Sequence, residues 1–306
     1  MGVIHAFRRK GYEVCYTAYV KNGIAVYDKN DKILFTQKSH FQNPKLVSVF
    51  RRFELIRATT KFIMQTDIKF NIVFLRYLGF DLPYIKLLKR IKKINDAYIL
   101  VDMLGYFKGI RSQNLKGLYM NICTKLFNRV AVRYIDSLLT EGVEESLFGI
   151  KTGKAYMGIE LSEFSSHSYD GDVDEINMIS VANETIYHAY DRLIKSLSIY
   201  NNRSNKTVKI KLHLVGVITE TTKRLITSEN VEKIVFLYGK KYGKELSDIY
   251  NKCNLGVGPL GQHRIGGKKD TGLKTKEYFA VGIPYFFSGI ESTVPENYPY
   301  VFQVPN

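Results

Sequence analysis

Residues 259–288 read PLGQHRIGGKKDTGLKTKEYFAVGIPYFFS, and this stretch decides the fold class. A short apolar run, Leu255–Pro259, ends in a glycine-rich loop, and the loop opens a helix expected over Gly272–Val281. Asp270 or Thr271 can cap that helix, and Gly282 with Pro284 ends it before a second apolar run at Tyr285–Ser288. Strand, glycine loop, helix and strand make the repeating unit of a parallel α/β layer. Helix N-termini present unpaired N–H groups and the positive end of the helix dipole, so a loop of this kind suits a phosphate. Lys274 falls in the first turn, and Glu277 lies three residues on, on the same face. A lysine can neutralise a diphosphate while a carboxylate accepts two ribose hydroxyls, as recognition of a nucleoside diphosphate requires. The same spacing also fits a solvated Lys/Glu pair on an ordinary surface helix.

The alternation continues upstream. Strands are expected at Ile176–Ala182, Lys209–Val215 and Ile234–Leu237, with helices at Ile186–Tyr200 and Lys244–Lys252. Earlier strands are expected at Glu13–Ala18, Phe70–Arg76, Ala97–Asp102, Ser137–Thr140 and Lys154–Met157, and helices at Leu82–Ile94 and Lys116–Ile135. Between the halves lies LSEFSSHSYDGDVDE, residues 161–175, rich in Ser, Asp and Gly and without periodicity, which reads as a linker. The expected organisation is a domain over 1–160, the linker 161–175, and a domain over 176–306; a chain of 306 residues suits two domains. The first domain begins with GVIHAFRRKGYEV, a helix leading into a strand, where a doubly wound domain opens with a strand and a glycine turn. The end, YVFQVPN, stops on a strand, so the expectation is a chain shortened at both ends and lacking the first strand of its first domain.

The net charge of +16 is unevenly placed. Residues 1–160 hold 27 Lys and Arg against 13 acids, residues 161–306 hold 18 against 16, and the window 38–133 holds 19 against 5. The first half therefore calls for an anionic partner: nucleic acid, anionic lipid or a phosphorylated substrate. Within it, YIKLLKRIKKIN (84–95) sets Tyr84, Leu87, Leu88 and Ile91 on one stripe and Lys86, Lys89, Arg90, Lys92 and Lys93 on the rest. That pattern fits a core-packed helix with a solvated face, and equally contact of residues 84–94 with an anionic membrane surface. Nucleic acid is the third option, but no recognised binding module is present. Near-average composition, with 45% hydrophobic and 24% charged residues, excludes disorder, collagen and coiled coil for the whole chain. No apolar run approaches the roughly 18–20 residues of a membrane helix, and no signal-peptide core opens the chain. Cys15, Cys123 and Cys253 are far apart with no CxxC, which argues against a disulfide framework or structural zinc and suits a reducing cytoplasm. The six histidines show no metal-ligand spacing. Asp102, in ILVDMLGYFKG (99–109), ends a strand before a glycine loop and is a candidate catalytic group on the acceptor side, or an ordinary strand-end aspartate capping its loop.

Three segments resemble a known family. LKTKEYFAVGIPYFFSG (273–289) resembles the donor-binding motif of the retaining, sugar-nucleotide-dependent glycosyltransferases of family 4, and LGQHR (260–264) resembles the loop of a bacterial subgroup that makes surface polysaccharides. ISVANETIYHAYDRLIKSL (179–197) is similar to the first strand, loop and helix of the C-terminal domain in that family, and SLLTEGVEESLFGIKTGKAYMGIE (137–160) to the end of its N-terminal domain. The resemblance covers about residues 135–290. It implies the GT-B fold, α/β with two Rossmann-like domains whose parallel sheets face a cleft. It also implies transfer of a sugar from a nucleoside-diphosphate sugar to a polysaccharide or lipid-linked acceptor, with no metal and no cofactor beyond the nucleotide-sugar substrate. The implied location is the cytoplasm, at the inner face of the cell membrane.

Carried across, Glu277 holds the ribose hydroxyls, Gly272 and Leu273 offer backbone N–H groups, and Lys274 faces the diphosphate. His263 and Arg264 line the sugar or phosphate pocket. Where the common pattern has an Arg and, five residues later, a Lys on the diphosphate, this chain has Asn183 and His188; a subgroup with His-Gly there is similar, with Ala189 replacing the glycine. The usual carboxylate eight residues before the ribose glutamate falls at Lys269. Either Asp270 next to it takes the catalytic role through a shifted loop, or the role is absent. The competing readings are a non-catalytic nucleotide-sugar-binding or partner protein, and a basic nucleic-acid-binding protein.

Overall fold

Strands in the second half are short apolar runs, and consecutive apolar side chains need cover on both faces of a sheet. The computed structural model has that arrangement; it describes residues 2–40, 44–103, 115–140, 145–155, 158–166, 174–266, 269–270, 272–291, 294–295 and 297–306. The chain divides into two units, Met1–Tyr156 and Met157–Asn306.

In the first unit, α1 (Gly2–Arg9) precedes β1 (Tyr16–Val20), β2 (Gly23–Tyr27) and β3 (Ile33–Lys38), an antiparallel sheet of their own. Then come α2 (Pro44–Gln65), β4 (Ile72–Arg76), α3 (Leu82–Asn95), β5 (Tyr98–Asp102), α4 (Leu115–Ala131), β6 (Ser137–Thr140), β7 (Ser146–Leu147) and β8 (Ile150–Lys154). Their strands form a sheet in the order β4-β5-β6-β8-β7, parallel except for the β7/β8 hairpin. The Asp81 carboxylate caps α3 by accepting from the Tyr84 N–H at 3.0 Å. Tyr84, Leu87, Leu88 and Ile91 are at most 2% exposed and pack against Ile99 and Val101 of β5 and Leu138 of β6. The stripe at 84–91 therefore belongs to the core, while Lys86, Lys89, Arg90 and Lys93 stay at the surface.

In the second unit, β9 (Glu175–Val181), α5 (Tyr190–Asn201), β10 (Lys209–Val215), α6 (Glu220–Ser228), β11 (Val235–Gly239), α7 (Gly243–Tyr250) and β12 (Leu255–Val257) alternate. After them come β13 (Lys269–Asp270), α8 (Leu273–Val281), β14 (Tyr285–Ser288), β15 (Ile290–Glu291) and β16 (Val301–Val304). The six-stranded sheet runs β11-β10-β9-β12-β14-β16, with every pairing parallel. Neighbouring residues of β9 serve opposite faces. Met178 packs with Leu193, Ile194 and Leu197 of α5, whereas Ile179 packs with Ile249 and Tyr250 of α7 and Tyr278 of α8.

Several sequence expectations are corrected. The strand expected at Lys154–Met157 lies at Ile150–Lys154, because Phe148 and Gly149, with φ of 55° and 81°, close a tight β7/β8 hairpin that sets its register. The helix expected at Ile186–Tyr200 is broken at Ala189, whose φ is 52°, into a 3-10 turn at Ile186–His188 and α5. Residues 161–175 are not all linker: Leu161–Glu163 form a 3-10 turn, Phe164 packs on the core of the second unit, and Glu175 opens β9. The rest of that segment, 167–173, lies outside the described residues.

Candidate functional site

In the second unit the first strand, β9, lies beside the fourth, β12, and the chains leaving their carboxyl ends diverge to opposite faces of the sheet. Strand order reverses at that point, and an open α/β sheet forms its ligand crevice there. Nearly all the donor-site candidates occupy the two loops involved or the helix that follows.

Helix α8 is anchored by its inner face. Thr275, Tyr278 and Val281, spaced by three, are buried. The Tyr278 hydroxyl lies 3.1 Å from the carbonyl oxygens of both Ile179 and Val257, which pins the helix to β9 and β12. Gly256 is required by this seat, since a Cβ there would sit 2.6 Å from the Tyr278 ring. The N-cap is Gly272 rather than Asp270 or Thr271, so no side chain of the cap residue competes for the first amide groups of α8. Gly282 ends the helix in the left-handed region, with φ of 81°. Lys269 and Asp270 pair through their backbones with Ile290 and Glu291; their side chains, and Thr271, lie outside the described residues.

Glu277 is half-buried and accepts from the Tyr250 hydroxyl at 3.1 Å. Burial raises its pKa, opposed by that hydrogen bond and by the Lys274 charge. Lys274 also acts on His188, across the crevice on the loop after β9. Lys274 and Glu277 of α8 and His188 of the loop after β9, predicted from two separate segments, are brought together.

His188 is 2% exposed. Its Nδ1 accepts from the Thr185 N–H at 2.9 Å, which leaves the proton of the neutral ring on Nε2. Burial first, and then the Lys274 cation, push its pKa down to about 3. Nε2 is buried and has no protein hydrogen-bond partner among the described residues. An unsatisfied buried donor costs about 1–3 kcal/mol, so this N–H is placed for an acceptor that the described residues do not supply.

Other candidates have different surroundings. The Arg264 guanidinium forms a two-pronged ion pair with Asp191 at 2.7 and 2.9 Å, tying the β12 loop to the first turn of α5. His263 is exposed, with Nδ1 3.1 Å from the Asn306 side chain. Asn183 accepts from the Val217 N–H at 3.1 Å and joins the loops after β9 and β10. Asp102 ends β5 of the first unit and is 8% exposed; residues 104–109 of its loop lie outside the described residues. Sequence reading missed Tyr250 and Asp191, which lie 27 and 73 positions from the residues they hold. No local signal marks either one.

No protein-family model matches the sequence, and no curated protein matches it. Solved structures do match. A sucrose-phosphate synthase from Thermosynechococcus elongatus superposes with a TM-score of 0.56 at 14% identity, over 87% of this chain and 67% of that one. The fold is GT-B. A glycosyltransferase from Rickettsia africae matches with a TM-score of 0.55 at 14% identity, over 89% of this chain and 70% of that one. The pneumococcal O-GlcNAc transferase GtfA, solved with UDP and GlcNAc, matches at 0.53 and 13% identity, over 96% of this chain and 59% of that one. The GT-B chain described here thus spans between 59% and 70% of these three chains. At such identities the likeness establishes architecture, two Rossmann-like domains, and leaves the chemistry to the residues.

Proposed function

We propose that the second unit binds a nucleoside-diphosphate sugar at the β9/β12 crevice, and that the chain transfers the sugar with retention to a polysaccharide or lipid-linked acceptor. The observation that carries this reading is the buried Nε2–H of His188, which has no partner among the described residues, beside the Lys274 charge and the side-chain-free cap of α8. A diphosphate would bring acceptor oxygens to the histidine and the helix amides, and negative charge beside the lysine. Glu277, held by Tyr250, is the acceptor for the ribose hydroxyls. Rate enhancement in such a site comes from orienting the donor and stabilising the departing diphosphate with Lys274, His188 and the helix dipole. Asp102 is the candidate acceptor-side group. The membership suggested by the 260–289 segment is family 4, surface-polysaccharide type.

A second reading, donor binding without transfer, is favoured by Lys269, which stands where the resembling family has a carboxylate. A thermal-shift panel of nucleoside diphosphates and their sugars tests binding. A ligand specific to the folded state raises stability by about 2.7 kcal/mol at a hundredfold excess over Kd. Stabilisation by one base series supports the site, and indifference to every nucleotide overturns it. Hydrolysis or transfer of the stabilising nucleotide sugar then separates the two readings.

A further inference from the structure

We propose that the outer face of α2 and α4 in the first unit docks on an anionic lipid membrane. Leu118, Ile122, Leu126 and Val130 recur every four residues along α4 and are 50%, 48%, 69% and 39% exposed. Cys123, Thr124 and Ala131 of the same helix are buried, so only part of its apolar circumference serves the fold. Tyr119, 43% exposed, carries the ridge towards α2. Its ring meets Phe53 at 6.5 Å, and Phe53 meets Phe50, itself 37% exposed, at 6.5 Å. The result is an aliphatic ridge with an aromatic shoulder, a combination suited to the headgroup boundary of a bilayer.

Charge identifies the occupant. Helices α2, α3 and α4 hold 13 Lys and Arg and a single acid, Glu54. Glu54 is 6% exposed and accepts from the Ser39 hydroxyl and the His40 N–H, so it adds no charge to the surface. Lys125 and Arg129 border the ridge on α4 and Arg133 follows, all exposed. α3 lies against both α2 and α4 and adds exposed Lys86, Lys89, Arg90 and Lys93. A second copy of the chain would set these cations against one another. A nucleic acid would satisfy the cations but has no use for Leu126 and Ile122. An anionic bilayer takes both, with phosphates on the cations and acyl-chain boundary on the ridge. Among the described residues no helix is long and apolar enough to cross a membrane, so the contact would lie in the interface plane.

The chain contains no tryptophan, so Leu126→Trp installs a single fluorophore on the ridge. With phosphatidylcholine vesicles containing about one-third phosphatidylglycerol, its emission should shift to the blue at low salt and return near 1 M salt, where screening shortens to about 3 Å. Pure phosphatidylcholine should give little shift, and Tyr242→Trp, at a 74% exposed position of the second unit, should give none. Flotation should show that Ile122→Ser/Leu126→Ser and Lys125→Gln/Arg129→Gln each weaken partitioning at least about tenfold. Circular dichroism and Tm should match the parent chain, because all four positions are exposed. Partitioning unchanged in both double variants overturns the proposal. So does capture of duplex DNA without vesicle binding, or a sedimenting dimer that Ile122→Ser/Leu126→Ser splits.

Discussion

Acid should loosen the second unit in a window set by two buried histidines. His213 is 5% exposed, with Nδ1 2.8 Å from the Tyr238 hydroxyl and Nε2 3.1 Å from the Asn177 side-chain oxygen. Burial, then the Lys211 and Lys252 charges, push its pKa down to about 4. His188 lies at about 3. Both are bases whose folded-state pKa falls below the ordinary value of about 6.5, so the fold prefers them neutral. Their contribution is fully present above that ordinary value and is lost as pH falls towards the folded values. At about pH 5 each ring costs about 2 kcal/mol relative to neutral pH, or about 4 kcal/mol together, a large share of an ordinary stability of about 5–15 kcal/mol. Asp191 and Glu175, whose pKa values are lowered by Arg264 and Lys211, lose their contribution only below the carboxylate range of about 4, so they stay out of this window. Hydrogen exchange read by mass spectrometry on peptides from β9 to β12, corrected for intrinsic rates, measures the second unit alone. Opening free energy should fall between about pH 7 and pH 5, and the slope should roughly halve in His213→Gln. A flat profile, or a slope that survives His188→Gln/His213→Gln, would refute the reasoning.

Three further outcomes are expected. Gly261→Ala should cost about 1–3 kcal/mol, because its Cβ would lie 2.8 Å from that of Ala189, and much of the loss should return in the Ala189→Gly background, a coupling that a double-mutant cycle in urea melts can read. Tyr250→Phe removes the hydrogen bond to Glu277 and should weaken nucleoside-diphosphate binding about threefold to tenfold in calorimetry; unchanged affinity would mean that Glu277 needs no orienting. Lys274→Ala should lose affinity for the diphosphate far more than for the bare nucleoside, and equal losses would assign Lys274 a structural role.

What was legible in the sequence was whatever local chemistry determines. The α8 segment could be read because Gly272, Gly282 and Pro284 punctuate it, and β9, β10 and β14 because their apolar runs lie between turn signals. Several elements are not legible in the sequence, α2, α6, β2 and β3 among them. The apolar residues of α2 are spread around its circumference instead of along a stripe. Only Thr222 and Ile226 of α6 are buried, too few to show a period. In the short meander β1–β3, the strand expected at Glu13–Ala18 overlaps β1, while β2 and β3 have no matching expectation despite the turn signal Asn22-Gly23 between β1 and β2. Site partners were the least legible. Arg264 looks the same in sequence whether it meets a phosphate or Asp191, and only the fold brings Asp191 to it. Helices α3 and α4 carry similar apolar periodicities, yet neighbouring elements cover Leu88 completely and leave Leu126 in water. Sequence specifies an amphipathic face; packing decides whether that face is used.

The central claim is that the β9/β12 crevice of the second unit holds a nucleoside diphosphate with Glu277 on its ribose. Calorimetric titration of the parent chain and of Glu277→Ala, using the nucleoside diphosphate selected by thermal shift, tests it most directly. A carboxylate accepting two hydroxyls contributes about 1.5–3 kcal/mol, so the variant should bind about tenfold to 150-fold more weakly while unfolding at the same temperature. Equal affinity in the two chains would place the ribose elsewhere and contradict the account.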